Sequence, residues 1–314
     1  MINFPITELL DETECYRWLL KRLHPDGLKC RNGHGLPQAQ APHDRSRTPI
    51  VDYRCQECGS VYNMFTDTVW QGTHYDCKTI VLVMRGFVQG VPTKHLAEEL
   101  GLDRGTLLRR RDEVQKLAFE HRDRRRLEDQ DTEADEMFQN AGEKGERHTD
   151  PNDPPRRRAN KRPGKGTMEN DRPPVLGTIG RQSGKVRLSV EENTQKTTIQ
   201  PQVEKSIPFE CNFYTDESSA YLGLGNAQYL HRTVCHSKGE YARDDDGDGI
   251  REVHCNTLEG LWTGLRNFLR PFRGVHKKKL KFYVAMFEWA HNLKRVTAGF
   301  LRTLMIPDFT YLPT

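Results

Sequence analysis

The stretch Cys211-Asn212-Phe213-Tyr214-Thr215-Asp216 decides how the C-terminal part of this chain folds. Its apolar residues, together with tyrosine and threonine, predict a short buried strand that ends on a carboxylate. Because a lone charge is costly to bury, an aspartate at the end of such a strand favours a metal ion as its partner. Asp216 is therefore the first candidate for a metal-binding residue.

Two further acidic residues lie in predicted elements of regular structure. Asp135 lies in Thr132-Glu133-Ala134-Asp135-Glu136-Met137-Phe138, which predicts the first strand of the C-terminal domain. Glu259 lies in the predicted helix His254-Cys255-Asn256-Thr257-Leu258-Glu259-Gly260-Leu261-Trp262. Carboxylate oxygens suit Mg²⁺ or Mn²⁺ better than zinc. Taken singly, each carboxylate in a chain with 44 of them is more often solvated or capping, so the surrounding motifs decide.

The segments around these carboxylates predict a mixed α/β domain. The turn Arg181-Gln182-Ser183-Gly184 favours a hairpin between two strands. The predicted strands are 175–179 and 185–190, and the predicted helices are 194–206, about 256–270 and 277–303.

A cluster of cysteine and histidine in the N-terminal part predicts a metal site. Cys55 and Cys58 form a CxxC knuckle, and Cys30 and His34 lie far enough upstream to supply two more ligands. Three thiolates and one imidazole make a closed tetrahedral set that suits structural zinc in a zinc ribbon. His43 is an alternative to His34, and a loose pair of free cysteines is the alternative to a metal site.

Residues 93–114 predict two short helices joined by a turn. Ala97 is small where two helices cross closely, Gly101 favours the turn, and Asp103 can cap the second helix. This is the sequence form of a helix-turn-helix DNA-binding module. An ordinary helical hairpin with a solvated basic face is the alternative. The residues expected on the exposed face are Arg104, Thr106, Arg109, Arg110 and Arg111.

These motifs are spread over nearly the whole chain. The stretches concerned are His24-Pro25-Asp26-Gly27, Tyr53-Arg54-Cys55 through Cys58, Glu133-Ala134-Asp135-Glu136, Tyr214-Thr215-Asp216 with Tyr221, His236-Ser237-Lys238-Gly239-Glu240-Tyr241 and Asn256-Thr257-Leu258-Glu259-Gly260-Leu261-Trp262. From Asp11 to Met305 the order resembles the DDE transposases of bacterial insertion sequences, in the zinc-ribbon-containing, ISXO-like subgroup. The last two stretches are the most specific.

The resemblance implies a ribonuclease H-like catalytic domain in which Asp135, Asp216 and Glu259 hold two Mg²⁺ or Mn²⁺ ions. It also implies a basic residue seven positions after the glutamate, which here is Arg266 where a lysine is commoner. Asn256 lies one helical turn before Glu259 on the same face and is the alternative third ligand. We favour Glu259 because a carboxylate binds a divalent ion more strongly than an amide.

Basic residues are concentrated in two places in the C-terminal part. An insert at 148–172 contains Arg156, Arg157, Arg158, Lys161, Arg162 and Lys165, and is either a solvated loop or a clamp on the DNA backbone. A stripe after Glu259 fits phosphate contact, and its interleaved aromatics, Trp262, Phe268 and Phe272, are more often core. The stripe consists of Arg266, Arg270, Arg273, Lys277, Lys278, Lys279 and Lys281.

The segment Asp244-Asp245-Asp246-Gly247-Asp248-Gly249-Ile250 is similar to the start of a calcium-binding loop. Cys255 occupies the position where such a loop needs its bidentate glutamate. A solvated turn is therefore the favoured interpretation.

The composition fits a DNA-binding protein without requiring one. The 314-residue chain has a net charge of +4, a mean hydropathy of -0.80 and 8 cysteines. The acidic start of the chain and the short apolar runs argue against a signal peptide and a membrane span. We expect a cytoplasmic bacterial protein, associated with the nucleoid when bound to DNA.

These motifs divide the chain into a helical lead (1–28), a zinc ribbon (29–75), a helix-turn-helix module (76–125) and a catalytic domain (126–314). The expected function is that of an insertion-sequence transposase, which binds terminal inverted repeats and cleaves and joins DNA. Double-stranded DNA and a homodimer or higher assembly are the expected partners. A catalytically inactive, transposase-derived DNA-binding protein and a metal-dependent DNA nuclease are the alternatives.

Overall fold

The computed structural model describes residues 3–9, 11–152, 165–224, 229–293 and 295–309. The chain divides into two compact units. The first unit contains residues 1–123 together with 293–314, and the second contains 124–292. The predicted catalytic domain extends to residue 314, whereas the described residues 295–309 group with the first unit.

The elements of the described residues follow in chain order. The α-helices are α1 (Glu12–Leu23), α2 (Cys77–Val88), α3 (Thr93–Leu100), α4 (Arg104–Glu120), α5 (Lys196–Ser206), α6 (Asn256–Leu269), α7 (Lys277–Asn292) and α8 (Ala298–Met305). The strands are β1 (Asp44–Arg47), β2 (Ile50–Arg54), β3 (Val61–Tyr62), β4 (Asp131–Phe138), β5 (Pro174–Gly180), β6 (Val186–Val190), β7 (Asn212–Asp216), β8 (Leu230–Val234), β9 (Ala242–Arg243) and β10 (Val253–His254). Short 3₁₀ turns lie at Ile6–Leu9, Ser219–Tyr221, His236–Lys238 and Arg270–Phe272.

The first unit combines a small antiparallel sheet, of order β1-β2-β3, with five of the helices. The predicted turn between α3 and α4 is confirmed. Gly101 ends α3 with a φ of +64°, a conformation that glycine adopts without strain. Asp103 caps α4 by accepting the N–H of Thr106 at 2.7 Å, and Leu107 is fully buried.

The second unit is built on a five-stranded mixed sheet of order β6-β5-β4-β7-β8. β5 runs antiparallel to β4 and β6, whereas β7 runs parallel to β4 and β8. Alternate residues of β4 point to opposite faces of the sheet. One face packs against α6 and α7, and its core includes Met137, Val175, Leu188, Trp262 and Leu280. The other face packs against α5, and its core includes Ala134, Leu176, Ile199 and Phe213.

The strands and the helix predicted between residues 132 and 216 are confirmed as β4, β5, β6, α5 and β7. The prediction of one continuous closing helix at 277–303 is wrong. α7 ends at Asn292, and Thr297 begins the new helix α8 by accepting the N–H of Phe300 at 3.1 Å.

Within the described part of the chain, no helix combines the length and the apolar character needed to cross a membrane.

Candidate functional site

The sheet of the second unit brings Asp135 and Asp216 together. β4 and β7 are parallel neighbours, with Glu133 opposite Tyr214. Continuing this register by two residues places Asp135 beside Asp216, on the face that carries α6. Asp216 is partly buried and accepts the backbone N–H of Ser218 at 2.9 Å. Two carboxylates, one from β4 and one from its neighbour β7, therefore line one side of the sheet.

Asp135 is held by an indole from α6. Trp262 donates its Nε1–H to Oδ2 of Asp135 at 2.7 Å. Gly177 of β5 lies directly opposite Asp135, and a Cβ at this position would lie 2.5 Å from the Trp262 ring. Only a glycine therefore leaves room for the indole. The sequence analysis missed both roles, because β-pairing and helix packing bring these residues together and no local pattern marks them.

The surroundings of Asp135 disfavour its ionised form. Burial, followed by the negative charges of Asp216 and Glu259, raises the pKa of Asp135 to about 6. The N–H of Trp262 acts in the opposite direction. Among the described residues, the strongest charged neighbours of Asp135 are thus both negative. Such a site stabilises a bound cation.

Glu259 lies on the first turn of α6 and is exposed, and its charge acts on Asp135. The oxygens of Asp135, Asp216 and Glu259 do not all lie within 4.8 Å of one another, so the group is wider than the cysteine cluster described below. Asn256, the first residue of α6, is also exposed. The choice between Glu259 and Asn256 as the third ligand stays a prediction.

A second acid, which the sequence analysis did not select, adds negative charge behind this group. Glu136 points to the opposite face of β4, where burial and then the charges of Asp135 and Asp216 raise its pKa to about 7, against the effect of the nearby Tyr221 hydroxyl. Tyr221 is fully buried, and burial raises its pKa well above the usual value.

The four predicted zinc ligands of the first unit come together. The Nδ1 atom of His34 lies 3.6 Å from Sγ of Cys30 and 3.4 Å from Sγ of Cys55, and the sulfurs of Cys30 and Cys58 are 3.7 Å apart. All four ligand atoms lie within 4.8 Å of one another. Tetrahedral zinc with a Zn–S bond of about 2.3 Å requires sulfurs roughly 3.8 Å apart, so the cluster fits this ion.

Neighbouring polar groups orient these ligands. The other ring nitrogen of His34, Nε2, lies 3.6 Å from a carboxylate oxygen of Glu57. Hydrogen bonds from the Ser60 hydroxyl and N–H lower the pKa of the Cys58 thiol to about 5. His43, the alternative ligand, lies outside the cluster, with its Nε2 at 3.3 Å from Arg54.

The basic face of α4 is smaller than predicted. Arg104 and Arg109 are exposed, Thr106 is partly buried and accepts a hydrogen bond from Arg109 at 3.1 Å, and Arg110 pairs with Glu113 at 2.9 Å.

The prediction that Arg111 is exposed is wrong. Its side chain is fully buried, and its Nε donates to the Thr93 hydroxyl at 2.9 Å. Nη2 donates to the carbonyl of Val91, and the guanidinium lies 4.4 Å from the centre of the Phe87 ring. Arg111 faces inward because it lies one helical turn after the buried Leu107. It joins α4 to the preceding helices and is not available to DNA.

The basic stripe that follows Glu259 is exposed except at Lys277. The exposed residues are Arg266, Arg270, Arg273, Lys278, Lys279 and Lys281. The ammonium of Lys277 lies 2.8 Å from Glu143 and 3.0 Å from Asp171, with only 12% of the side chain exposed, so its predicted contact with DNA is not carried further. The interleaved aromatics belong to the core as predicted: Trp262 is buried, and Phe268 and Phe272 pack against the same cluster.

Five of the six basic residues named in the predicted insert lie outside the described residues, namely Arg156, Arg157, Arg158, Lys161 and Arg162. Lys165 is described and is exposed.

The acidic loop that begins at Asp244 closes on its own backbone. The carboxylate of Asp244 accepts the N–H groups of Gly247 and Gly249 at 2.7 and 2.9 Å. The carboxylates of Asp244, Asp246 and Glu252 lie within 4.8 Å of one another and could hold a metal ion, whereas Cys255 is buried. The choice between a solvated turn and a calcium site stays a prediction.

Two comparisons show which known proteins the chain is similar to. The profile of the ISXO2-like transposase domain matches residues 133–292, which is just over half of the 314-residue chain and includes Asp135, Asp216 and Glu259. An "Uncharacterized protein in transposable element ISH50" from Halobacterium salinarum is 27% identical over 274 residues. The matched region covers 85% of this chain and 88% of that protein.

Proposed function

Since the chain belongs to the ISXO2-like transposase family, we propose that it cleaves DNA at the ends of an insertion element and joins those ends to target DNA. The observation that carries the proposal is the partly buried Asp135, which lies beside Asp216 and whose strongest charged neighbours are two carboxylates. The second unit acts as a ribonuclease H-like catalytic domain. Its sheet, with two parallel and two antiparallel pairings around β4, supports that assignment.

The donor set of the site fits hard divalent cations. Asp135, Asp216 and Glu259 would hold Mg²⁺ or Mn²⁺ through carboxylate oxygens, which these ions prefer. The family resemblance implies that two such ions would share these carboxylates. When bound, such ions activate the attacking oxygen and stabilise the leaving oxygen of a phosphodiester.

The residues of the chain prepare this site for that chemistry. Trp262 holds one oxygen of Asp135, and the other would bind an ion. The exposed Arg266 and Arg270, on and directly after α6, attract the phosphates of a DNA strand. Water first attacks the phosphodiester at the element end and frees a 3′-hydroxyl. The 3′-hydroxyl then attacks target DNA without a covalent protein intermediate.

The first unit would recognise the terminal inverted repeats. Cys30, His34, Cys55 and Cys58 would hold a structural zinc ion, because the closed set leaves no position for a substrate. α3 and α4 would act as a helix-turn-helix, with Arg104, Arg109 and Arg110 towards the DNA. Two element ends must meet during transposition, so we expect a homodimer or higher assembly on double-stranded DNA.

End cleavage tests the proposal. The purified full-length chain is incubated with a labelled duplex that carries one inverted repeat and its flanking DNA. We expect cleavage at the repeat boundary in Mg²⁺ or Mn²⁺ and none in EDTA. Specific binding without cleavage in either ion would identify a DNA-binding protein instead. Cleavage without preference for the boundary would identify a nuclease.

The indole of Trp262 is expected to contribute directly to the cleavage rate. Trp262→Phe keeps an aromatic ring beside Gly177 but removes the N–H that stabilises ionised Asp135. A hydrogen bond to a charged group of this kind corresponds to about a tenfold change in rate. Single-turnover end cleavage measures the effect. The matched control is Trp289→Phe on α7, another buried tryptophan, which should retain the wild-type rate. Equal cleavage rates for Trp262→Phe and Trp289→Phe would show that Trp262 has no role in the proposed site.

Substitutions of Arg109 and Arg111, two residues apart on α4, are expected to affect different properties: the first DNA binding, the second stability. Arg109→Ala should weaken binding to inverted-repeat DNA and reduce the slope of log K against log salt by about one, because it removes one phosphate contact. Arg111→Ala should lower the free energy of unfolding by about 3 kcal/mol, because it breaks buried hydrogen bonds. Binding titrations at several salt concentrations and chemical denaturation measure the two effects. A stable Arg111→Ala variant with weakened DNA binding would contradict the assignment.

A further inference from the structure

Glu133 is a buried carboxylate that the proposed chemistry does not use. It lies on β4 two residues before Asp135, points to the same face of the sheet and is fully buried. Burial of a charged group is tolerated only when the group is paired and hydrogen-bonded. The partners of Glu133 therefore show what the residue is for.

One partner is Arg181, at the end of the hairpin strand β5. Its Nε lies 2.7 Å from Oε1 of Glu133. Its other nitrogens donate to the carbonyls of Glu252 and His254 at 2.6 and 2.7 Å, and its guanidinium lies 4.0 Å from the centre of the Tyr214 ring. Arg181 thus ties the segment that leads into α6 to the carboxylate of β4.

His254 of β10 also lies close, with its Nδ1 3.3 Å from Oε1 of Glu133. The remaining partners belong to α6 itself. The N-cap residue Cys255 makes no side-chain hydrogen bond to the helix. Glu133 supplies the missing acceptor, because it accepts the Thr257 hydroxyl at 2.8 Å and the N–H of Leu258 at 3.2 Å. An anion at a helix N-terminus also interacts favourably with the helix dipole. The helix is therefore capped by a neighbouring strand instead of by its own preceding residue.

We propose that Glu133, paired with Arg181, is a positioning residue that sets the separation between Asp135 and Glu259. The inference rests on the function proposed above. Glu133 is two residues from Asp135 on one element, and Leu258, which it caps, directly precedes Glu259 on the other. The contacts of Glu133 with Arg181 and with the start of α6 therefore hold β4 and α6 together at the point where their carboxylates would share divalent ions. Loosening these contacts would move Glu259 relative to Asp135 and weaken ion binding while both ligands are still present.

The test measures Mn²⁺ affinity, through the electron paramagnetic resonance signal of free Mn²⁺, in the zinc-loaded full-length protein. Glu133→Asp keeps the charge but retracts the carboxylate from α6. The pair Glu133→Met with Arg181→Met replaces the ion pair by apolar side chains, a change that often preserves stability. We expect both variants to bind Mn²⁺ about tenfold more weakly, the usual cost of losing a residue that orients a ligand. We expect the paired variant to keep a melting temperature near that of the wild type. Wild-type Mn²⁺ affinity in the paired variant would overturn the proposal.

Two further variants separate the possible causes. Glu288 is a buried glutamate on α7 that accepts the N–H of Leu188 at 2.9 Å. Glu288→Gln should lower the melting temperature without changing Mn²⁺ affinity; a matching loss of affinity would make the Glu133 effect merely structural and overturn the proposal. Asp216→Ala removes a ligand itself. If Asp216→Ala loses affinity and the Glu133 variants do not, only the positioning role fails. If Asp216→Ala binds Mn²⁺ as the wild type does, the proposed metal site fails, and the positioning role with it.

Discussion

Replacing Asp216 with alanine is expected to slow end cleavage by about 10³-fold or more, because divalent ions contribute several kcal/mol of transition-state stabilisation. Asp216 ends β7 beside Asp135, and its side chain makes no contribution to the core clusters of the second unit. The substitution therefore removes an ion ligand and leaves the sheet intact. Binding to inverted-repeat DNA should be unchanged, because the residues proposed to read the repeat belong to the first unit.

Single-turnover cleavage and gel-shift binding measure the two effects in parallel. The matched control is Asp131→Asn, on β4 four residues before Asp135, where the side chain accepts a hydrogen bond from Asn212 at 2.9 Å. This control should cleave at nearly the wild-type rate. A cleavage rate within tenfold of the wild type in Asp216→Ala would mean that the reaction does not depend on this carboxylate.

The second large effect is expected at the cysteine cluster. Cys55→Ser should reduce bound zinc from one ion per chain to nearly none. Structural zinc contributes about 10–16 kcal/mol in small zinc modules, as much as the whole stability of many domains. The sheet β1-β2-β3 is short, and every residue of β1 is exposed or only partly buried, so little else can hold it. Residues 24–62 should then become sensitive to protease, and binding to inverted-repeat DNA should be lost.

Elemental analysis, limited proteolysis and gel-shift assays follow these changes. Cys235→Ser is the control, because Cys235 belongs to the second unit and lies outside the cluster. This variant should retain both zinc and DNA binding. A Cys55→Ser protein that keeps one zinc ion and resists protease would contradict the structural role of the site.

Local patterns were sufficient to predict the elements that carry the site. The apolar run before Asp216 and the strand around Asp135 are confirmed as β7 and β4 because alternation and β-prone residues are properties of a few consecutive positions. The spacing of Cys30, His34, Cys55 and Cys58 likewise predicted a cluster that the structure assembles. The turn at Gly101 was predictable because its left-handed conformation favours glycine.

Arginines and lysines were the main source of error, because their charge was taken as evidence of exposure. Arg111 is buried, although its spacing of four from Leu107 marked the inward face of α4. Lys277 pairs with Glu143 and Asp171, acids that lie more than one hundred residues away in the chain. The first error could have been avoided from helical periodicity, whereas the second depends on tertiary packing.

The supports of the site were also beyond the reach of local patterns. Gly177 faces Asp135 only because β5 pairs with β4, and Trp262 reaches the same place from α6. Glu133 and Arg181 are 48 residues apart in the chain. These contacts depend on which strands pair in the sheet and on which helix packs against them. One sequence taken alone specifies neither.

The most direct test of the central claim is the joining of pre-cut element ends to a plasmid target in Mg²⁺ or Mn²⁺, with the wild type, Glu259→Ala and Asn256→Ala compared. We predict joined products from the wild type and from Asn256→Ala, and none from Glu259→Ala, with all three proteins binding the ends. Joining by Glu259→Ala but not by Asn256→Ala would move the third ligand to the amide. A wild-type protein that binds the ends and joins nothing would contradict the account.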